Sequence, residues 1–505
     1  MASLTYTSFD DSILHHLSQQ SWRRGMVNFF SESIPFSFSS SNEYADLVSD
    51  MITLFSKHLN QSINIVEYGA GNGMFAKKCV KKLAEKDTRF HYLITENVPS
   101  LVSYFETLAV VKESNHIQAK LLDINDFKLD QPFHVGILTY LLDTCPVKIL
   151  EFQAGDLYEW RVNVLVKEDA TVSFVTNNTL VTWNKSEIET FLSQPISDDQ
   201  LPLLSRIHEC FDISWKRFQC EAADIDATGI LEEWLAEQAY QENGVFTFSN
   251  AWWAIMDSLR HHVSDKFMFV LYDFASNRGN YYQSYLESFG QFGICYFYSV
   301  SFFLFKYYCS RNNLQFLSSD FPESDNQIGI ITSVKNKVFQ EELTQFFNQD
   351  EPGKHVYDYT LLIKQADSLD ACLSSIRKSK GVLTLDQQSD YVYLFSIALK
   401  FFEFECYDQV IYYLDTILAD YGVQSLNAVL LKSKALRKEG FLADALALVE
   451  AAIELTPHFD LLHLERAYIA KELNKWDILK TSLESYFETV LANPQWHLLD
   501  IIKQL

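Results

Sequence analysis

Between residues 63 and 143, apolar runs of strand length alternate with helical patterns, and this alternation constrains the chain more than any other feature. Parallel strands need long crossovers, and stacked βαβ units bury a parallel sheet on both faces. The spacing predicts strands over 63–68, 90–95, 117–122 and 133–139. Between the first two, 74–86 reads as an amphipathic helix: Phe75, Cys79 and Leu83 recur every four residues, with Lys77, Lys78, Lys81 and Lys82 on a solvated face. The run Lys266–Ala275 returns as a strand buried on both faces. Trp160, Val162, Val164 and Val166 alternate with polar residues, and Val172 and Phe174 follow a polar turn, which predicts an antiparallel hairpin appended to the sheet. Residues 185–260 are acidic and read as a mostly helical insertion.

The first strand ends in Glu67-Tyr68-Gly69-Ala70-Gly71-Asn72-Gly73, which opens the helix. Glycines let the backbone turn sharply and let a ligand come closer than a Cβ allows, and the N–H groups at a helix start face the turn. A dinucleotide site uses G-x-G-x-x-G around a pyrophosphate. Here an acid precedes the first glycine in E-x-G-x-G-x-G, which repels a pyrophosphate and suits a ligand carrying an ammonium and a sulfonium. Glu96 at the end of the second strand can accept both hydroxyls of a ribose, and Asp123 at the end of the third lies within reach of an adenine amino group. The expected cofactor is S-adenosylmethionine, held by Glu67, Gly69, Gly71, Asn72, Gly73, Glu96, Asp123 and Thr139.

These residues, with Leu141-Leu142-Asp143-Thr144-Cys145-Pro146-Val147 and Glu159-Trp160-Arg161-Val162, resemble the MidA-like methyltransferases, whose mitochondrial members methylate an arginine on a respiratory complex I subunit. Tyr272-Asp273-Phe274 is similar to that family's Asp-Tyr-Gly on a late strand, and Ile34-Pro35-Phe36-Ser37-Phe38 to its substrate-side N-terminal stretch. The resemblance covers about residues 25–335 and, loosely, the tail, as in bacterial proteins that join such a domain to tetratricopeptide repeats. It implies an α/β fold: a Rossmann-like class I methyltransferase sheet with a helical insertion, followed by all-α tetratricopeptide-like repeats. Where the family has Asn-Glu after the fourth strand, this chain has Thr139-Tyr140, so the carboxylate that would meet a guanidinium is missing there.

Methyl transfer from a sulfonium needs an in-line nucleophile in a dry pocket, because the cofactor carries the activation. The candidate catalytic residues are Asp143, to accept a proton or orient an amine, Tyr140, to wall or hydrogen-bond the substrate, and Asp273 from the neighbouring strand. Asp143 before a Thr-Cys-Pro turn is also a turn cap by position, and Asp273 a loop cap. The alternative function is a catalytically silent cofactor-binding scaffold; a small-molecule methyltransferase that self-associates through its tail is a third.

From about 386 onward only amphipathic helices are expected, with a period of 34 to 35 residues that aligns Tyr407, Leu442 and Trp476, and then Val410, Ala445 and Leu479. That is the period of tetratricopeptide repeats, best matched at Gly440, Ala445, Ala452 and Pro457; unrelated helical hairpins are the other reading. The organisation expected is a methyltransferase domain over 1–335, a helical connector over 336–385 and repeats over 386–505 that bind a protein substrate or complex. The polar stretch 318–327 is a candidate loop or boundary.

Length and charge narrow the partners. A chain of 505 residues exceeds one core, and 66 acidic against 41 basic residues leave a formal charge of −25, which repels phosphate backbones and anionic lipid. Nucleic acid and membrane are therefore not expected. Residues 1–11 lack a secretory pattern, and the apolar segment 294–309, interrupted by Lys306, is shorter than the ~18 residues of a membrane span. The eight cysteines show no metal-ligand spacing, and the neighbours His15-His16 and His261-His262 cannot face one ion together, so no metal is expected. The expected location is cytoplasmic, in a reducing compartment.

Overall fold

The computed structural model describes residues 5–25, 38–124, 129, 131–176, 179–237, 243–321, 324–347, 351, 353–457 and 459–489. Ile34 to Ser37 therefore lie outside the described residues.

The strands, in chain order, are β1 (Ile63–Tyr68), β2 (Phe90–Glu96), β3 (Ile117–Leu121), β4 (Phe133–Thr139), β5 (Lys148–Gln153), β6 (Asp156–Val166), β7 (Thr171–Thr176), β8 (Thr179–Asn184), β9 (Phe211–Gln219), β10 (Gly244–Phe248), β11 (Val263–Ser276), β12 (Phe289–Phe292), β13 (Cys295–Tyr298), β14 (Val300–Ser301), β15 (Gln315–Ser318) and β16 (Asn326–Thr332). The main sheet runs β15-β16-β11-β4-β1-β2-β3, with β14 beside the end of β11. Strands β11, β4, β1, β2 and β3 are parallel, and β16 and β15 close one edge antiparallel.

β1 lies between β2 and β4, so the crossovers leave it in opposite directions. Ligands of open α/β sheets sit outside the carboxyl ends of the strands at such a reversal. The central residues of β1, β4 and β11 are buried and mostly apolar because helices cover both faces. On one face the helices Asn42–Leu59, Met74–Glu85 and Lys337–Phe347 meet through Tyr44 against Phe75 (5.1 Å) and Phe55 against Phe339 (5.9 Å). On the other, Trp252 and Trp253 of the helix Asn250–Arg260 pack on Phe305 of the helix Phe302–Arg311.

Several expectations are corrected. The period-two run in β6 pairs with β5 through a turn at Ala154-Gly155, both at positive φ, and does not pair with Val172 and Phe174. β5 and β6 belong to a separate antiparallel sheet, β10-β5-β6-β9, instead of extending the parallel one. Residues 185–260 contain β9 and β10 as well as helices, because Val245, Phe246 and Phe248 form an apolar run that the acidic surroundings obscured. Val172 and Phe174 belong to β7, whose partner is β8. Lys78 is buried, not solvated. Of the polar stretch 318–327, Ser318 ends β15, 326 and 327 open β16, and 322 and 323 lie outside the described residues; Gln327 pins the near side of the connection, its side-chain oxygen accepting from Ser319 Oγ (2.9 Å) and Phe321 N (3.0 Å). Segment 294–309 is buried as β13, β14 and a helix, and among the described residues no helix is long and apolar enough to cross a membrane.

The chain groups into two compact units. One holds Met1–Gln19, Tyr44–Leu165 and Ile213–Pro352, and with them the main sheet; the other holds Gln20–Glu43, Val166–Asp212 and Gly353–Leu505. The division therefore crosses the chain five times.

In the second unit β7 packs on the last helix, and a capping box at Asn184 starts the helix Lys185–Leu192. Three helix pairs follow one another: Tyr391–Glu403 with Tyr407–Tyr421, Leu426–Lys438 with Leu442–Leu455, and Asp460–Glu472 with Trp476–Thr489. Tyr407, Leu442 and Trp476 each open the second helix of a pair. Val410 and Ala445 are fully buried where helices touch, while Leu479 is half-buried. Each turn holds one left-handed residue at the same place, Glu405 (φ 58), Gly440 (φ 84) and Asn474 (φ 56), so the period is written in the backbone as well as in the side chains.

Candidate functional site

The loop after β1 is built by backbone conformation. Gly69, Gly71 and Gly73 have φ of +64, +57 and +70, the left-handed region that side chains resist. At Gly73 a Cβ would also stand 2.7 Å from the Phe105 ring. Ala70 N–H donates to Thr95 O (3.0 Å) and Thr95 Oγ1 to Glu67 O (2.7 Å), which ties the loop to the end of β2. Asn72 Oδ1 accepts from Met74 N (3.0 Å), the first residue of the following helix.

Two acids converge there. Glu96 accepts from Gly71 N through Oε2 (3.0 Å) and from Asn97 N through Oε1 (2.8 Å). It is 7 % exposed, and burial raises its pKa while the backbone N–H groups of Gly71, Asn97 and Val98 oppose the rise. Glu67, 3 % exposed, accepts from Tyr92 Oη (2.8 Å). Burial pushes it up to about 8, against the Tyr92 bond and with help from the charge of Glu96. Asp123 stands two residues beyond β3 with an exposed side chain, anchored by Leu122 N–H donating to Glu96 O (2.9 Å).

The end of β4 carries the second cluster. Thr139 pairs in register with Tyr272 of β11, and its Oγ1 meets Tyr44 Oη (3.1 Å). Tyr140 has φ +49, a costly conformation for a large side chain and one that recurs at functional sites. Its N–H donates to Tyr272 O (2.8 Å), its ring lies 5.3 Å from that of Tyr272, and its hydroxyl donates to Asn326 Oδ1 (3.3 Å).

Asp143 and Asp273 form a buried pair, 4 % and 0 % exposed. Asp273 Oδ1 accepts from Asp143 N (3.3 Å) and holds the short turn Leu142–Thr144. Burial raises both carboxyls, Asp143 to about 7 against a side-chain hydrogen bond with Asp273, and the charge of Asp143 raises Asp273 further, so the pair keeps a proton at neutral pH. Successive strand residues face opposite ways, so Asp273 lies on the other side of β11 from Tyr272 and the Tyr140 ring. The structure thus joins Asp143 to Asp273, and Tyr140 to Thr139 through Tyr272, as two clusters at one sheet end.

Tyr44, Asn326 and Glu351 were not among the candidates. The Tyr44 ring lies 4.7 Å from that of Tyr272, tilted against it. Glu351 Oε1 accepts from Tyr272 Oη (3.4 Å) and from Asn326 Nδ2 (3.4 Å). Asn326 lies inside a polar loop-like stretch and Glu351 stands before Pro352-Gly353, so neither carried a periodic signal. Among the described residues no group of three or more His, Cys, Asp or Glu is placed to hold a metal ion.

No family model matches the chain, and no curated protein does. Among solved structures, a superfamily member from Burkholderia thailandensis described as a likely methyl transferase, bound to S-adenosyl-homocysteine, aligns at 15 % identity and TM-score 0.40, covering 62 % of this chain and 74 % of that one. A second structure of a Burkholderia thailandensis protein of the same superfamily gives 13 % and 0.36 with the same coverages. The N-methyltransferase NodS from Bradyrhizobium japonicum, with the same ligand, gives 8 % and 0.25 over 56 % of this chain and 83 % of that one. The chain is thus similar in part to methyltransferase structures, and overlaps this partial establish nothing about what it binds.

Proposed function

We propose that the chain is an S-adenosylmethionine-dependent methyltransferase. The observation that carries this is the closure of Glu96 on Gly71 N–H, at the carboxyl end of the strand where the sheet order reverses. A cradle of three left-handed glycines admits a ligand where a Cβ would intrude, and two buried acids beside it suit a cation rather than a phosphate. In this reading Gly69, Gly71, Asn72 and Gly73 shape the cradle, Glu67 faces positive charge, Glu96 keeps acceptor directions for a ribose, and Asp123 and Thr139 border it. When bound, the cofactor supplies an activated methyl group.

The remaining work is placement and proton handling. Tyr140 stands on the acceptor side of the strand end. Asp143 is the proton acceptor: its Oδ1 is buried with no hydrogen-bond partner among the described residues, and a carboxyl held near neutrality is matched to general base work. Asp273 orients the turn that carries it. The helix pairs, read as tetratricopeptide-like repeats, recruit a protein substrate or its complex, and eight free cysteines fit a reducing, cytoplasmic setting.

Incubation with cofactor labelled on its methyl group, in lysate of the source organism, tests the activity. A labelled acceptor is expected, with label falling by about 10²- to 10⁴-fold in Asp143→Asn. Cofactor binding without any labelled acceptor supports a second reading, a silent scaffold, favoured by the burial of Asp143 at 4 % exposure.

A further inference from the structure

The residues around the Tyr140 hydroxyl fix the direction of a hydrogen-bond relay. A carboxylate only accepts, so Glu351 Oε1 accepts a hydrogen bond from both Tyr272 Oη (3.4 Å) and Asn326 Nδ2 (3.4 Å). With its amide nitrogen turned to Glu351, Asn326 presents Oδ1 to Tyr140, and Tyr140 must donate to it (3.3 Å). The Tyr272 phenol also lies within hydrogen-bond reach of the Tyr140 hydroxyl and has one proton to direct to it or to Glu351. A carboxylate is the stronger acceptor, so that proton goes to Glu351. Both donors are turned to Glu351, which leaves the Tyr140 oxygen able to accept.

We propose that Glu351, acting through Asn326 and Tyr272, is a positioning residue that makes Tyr140 a hydrogen-bond acceptor toward the methyl-accepting group, so that this group must carry a hydrogen to donate. The proposal rests on the methyltransferase reading and deepens it. It selects a nitrogen or oxygen nucleophile bearing N–H or O–H over a tertiary amine, a thioether or a carbon centre. The left-handed backbone of Tyr140 has a use in the same terms, because it swings the ring against Tyr272 and the hydroxyl toward Asn326. Three parts of the sequence, near 140, 272 and 326–351, meet in this relay, which supplies by long-range contact an acid that the end of β4 lacks.

Two measurements test it. Raman difference spectra of the full-length protein, taken against Tyr272→Phe and Tyr140→Phe, report whether each phenol donates or accepts. Tyr272 is expected to read as a strong donor, and to lose that signature in Glu351→Gln. In Glu351→Lys an ammonium can only donate, Asn326 turns its amide round, and Tyr140 shifts toward an acceptor signature. Spectra unchanged in both Glu351 variants would overturn the relay. Calorimetric binding of S-adenosylmethionine to Glu351→Gln and Glu351→Lys, equal to wild type, shows that they are folded and separates failure of the relay from failure of the cofactor reading.

The substrate class is read with protein saturated by S-adenosylhomocysteine, using butylammonium and butyltrimethylammonium as probes. The donor-bearing probe is expected to bind about threefold to tenfold tighter, one hydrogen bond's worth, and the preference to vanish in Tyr140→Phe. Equal affinity of the two probes for wild type, or a preference that survives Tyr140→Phe, rules out that class.

Discussion

Glu67 is a carboxyl group built into a strand, and burial pushes its pKa from an ordinary 4.5 to about 8. A folded-state pKa raised above the unfolded value means that the native protein keeps a proton which the unfolded chain has lost. The associated stability is present below pH 4.5, declines as pH rises from there, and is gone above about 8. A bound cation reverses the preference, because an ammonium or sulfonium nearby favours the ionised form. Cofactor affinity is therefore expected to rise with pH up to about 8 and to release a proton on binding, and Glu67→Gln to flatten both dependences. Calorimetry in buffers of different ionisation heat reads the proton count; pH-independent binding by wild type contradicts the assignment. Glu67 and Glu96 were readable in sequence because each ends a strand, where the side chain meets the loop of the next crossover. Asn326 and Glu351 were not, since they reach Tyr140 by tertiary packing across nearly two hundred positions and belong to no local pattern.

Elements that repeat a simple period were legible to within a residue or two. β1 and β4 fall where their apolar runs do, because strands buried on both faces need continuous apolar sequence. The second sheet was less so: β9 is mostly exposed, so no burial pattern marks it, and β6 alternates because it is half-buried, which says nothing about its partner. In the tail the turns explain why only the middle repeat matched well. Gly440 supplies a left-handed residue without strain, while Glu405 and Asn474 adopt the same conformation against their side chains. Glu405→Gly is accordingly expected to raise stability by about 0.5–1 kcal/mol, and Gly440→Ala to lower it by about 1 kcal/mol. Urea unfolding midpoints decide this; destabilisation by Glu405→Gly contradicts it.

At the scale of the whole chain, the expected cut between a catalytic domain and a repeat tail meets a different division. Residues 166–212 and 20–43 group with the C-terminal helices, so the second unit draws on three separate stretches. A polypeptide ending at 352 removes only the last of these and strips the other two of the apolar surface they cluster with. It is expected to aggregate or unfold well below the full chain's midpoint, in thermal melts followed by light scattering. A soluble fragment that melts as the full chain does contradicts the two-unit division. The excess of 66 acidic over 41 basic residues acts at this scale as well, steering a cationic partner or substrate toward the protein and weakening with salt.

All of these readings depend on the loop at Gly71 receiving an adenosyl sulfonium. Calorimetric titration of wild type and Gly71→Arg with S-adenosylmethionine is the direct measurement. The account predicts one site per chain in wild type and none in Gly71→Arg, whose side chain would occupy the cradle at a positive φ. Absence of binding heat in wild type, or equal binding by both proteins, contradicts it.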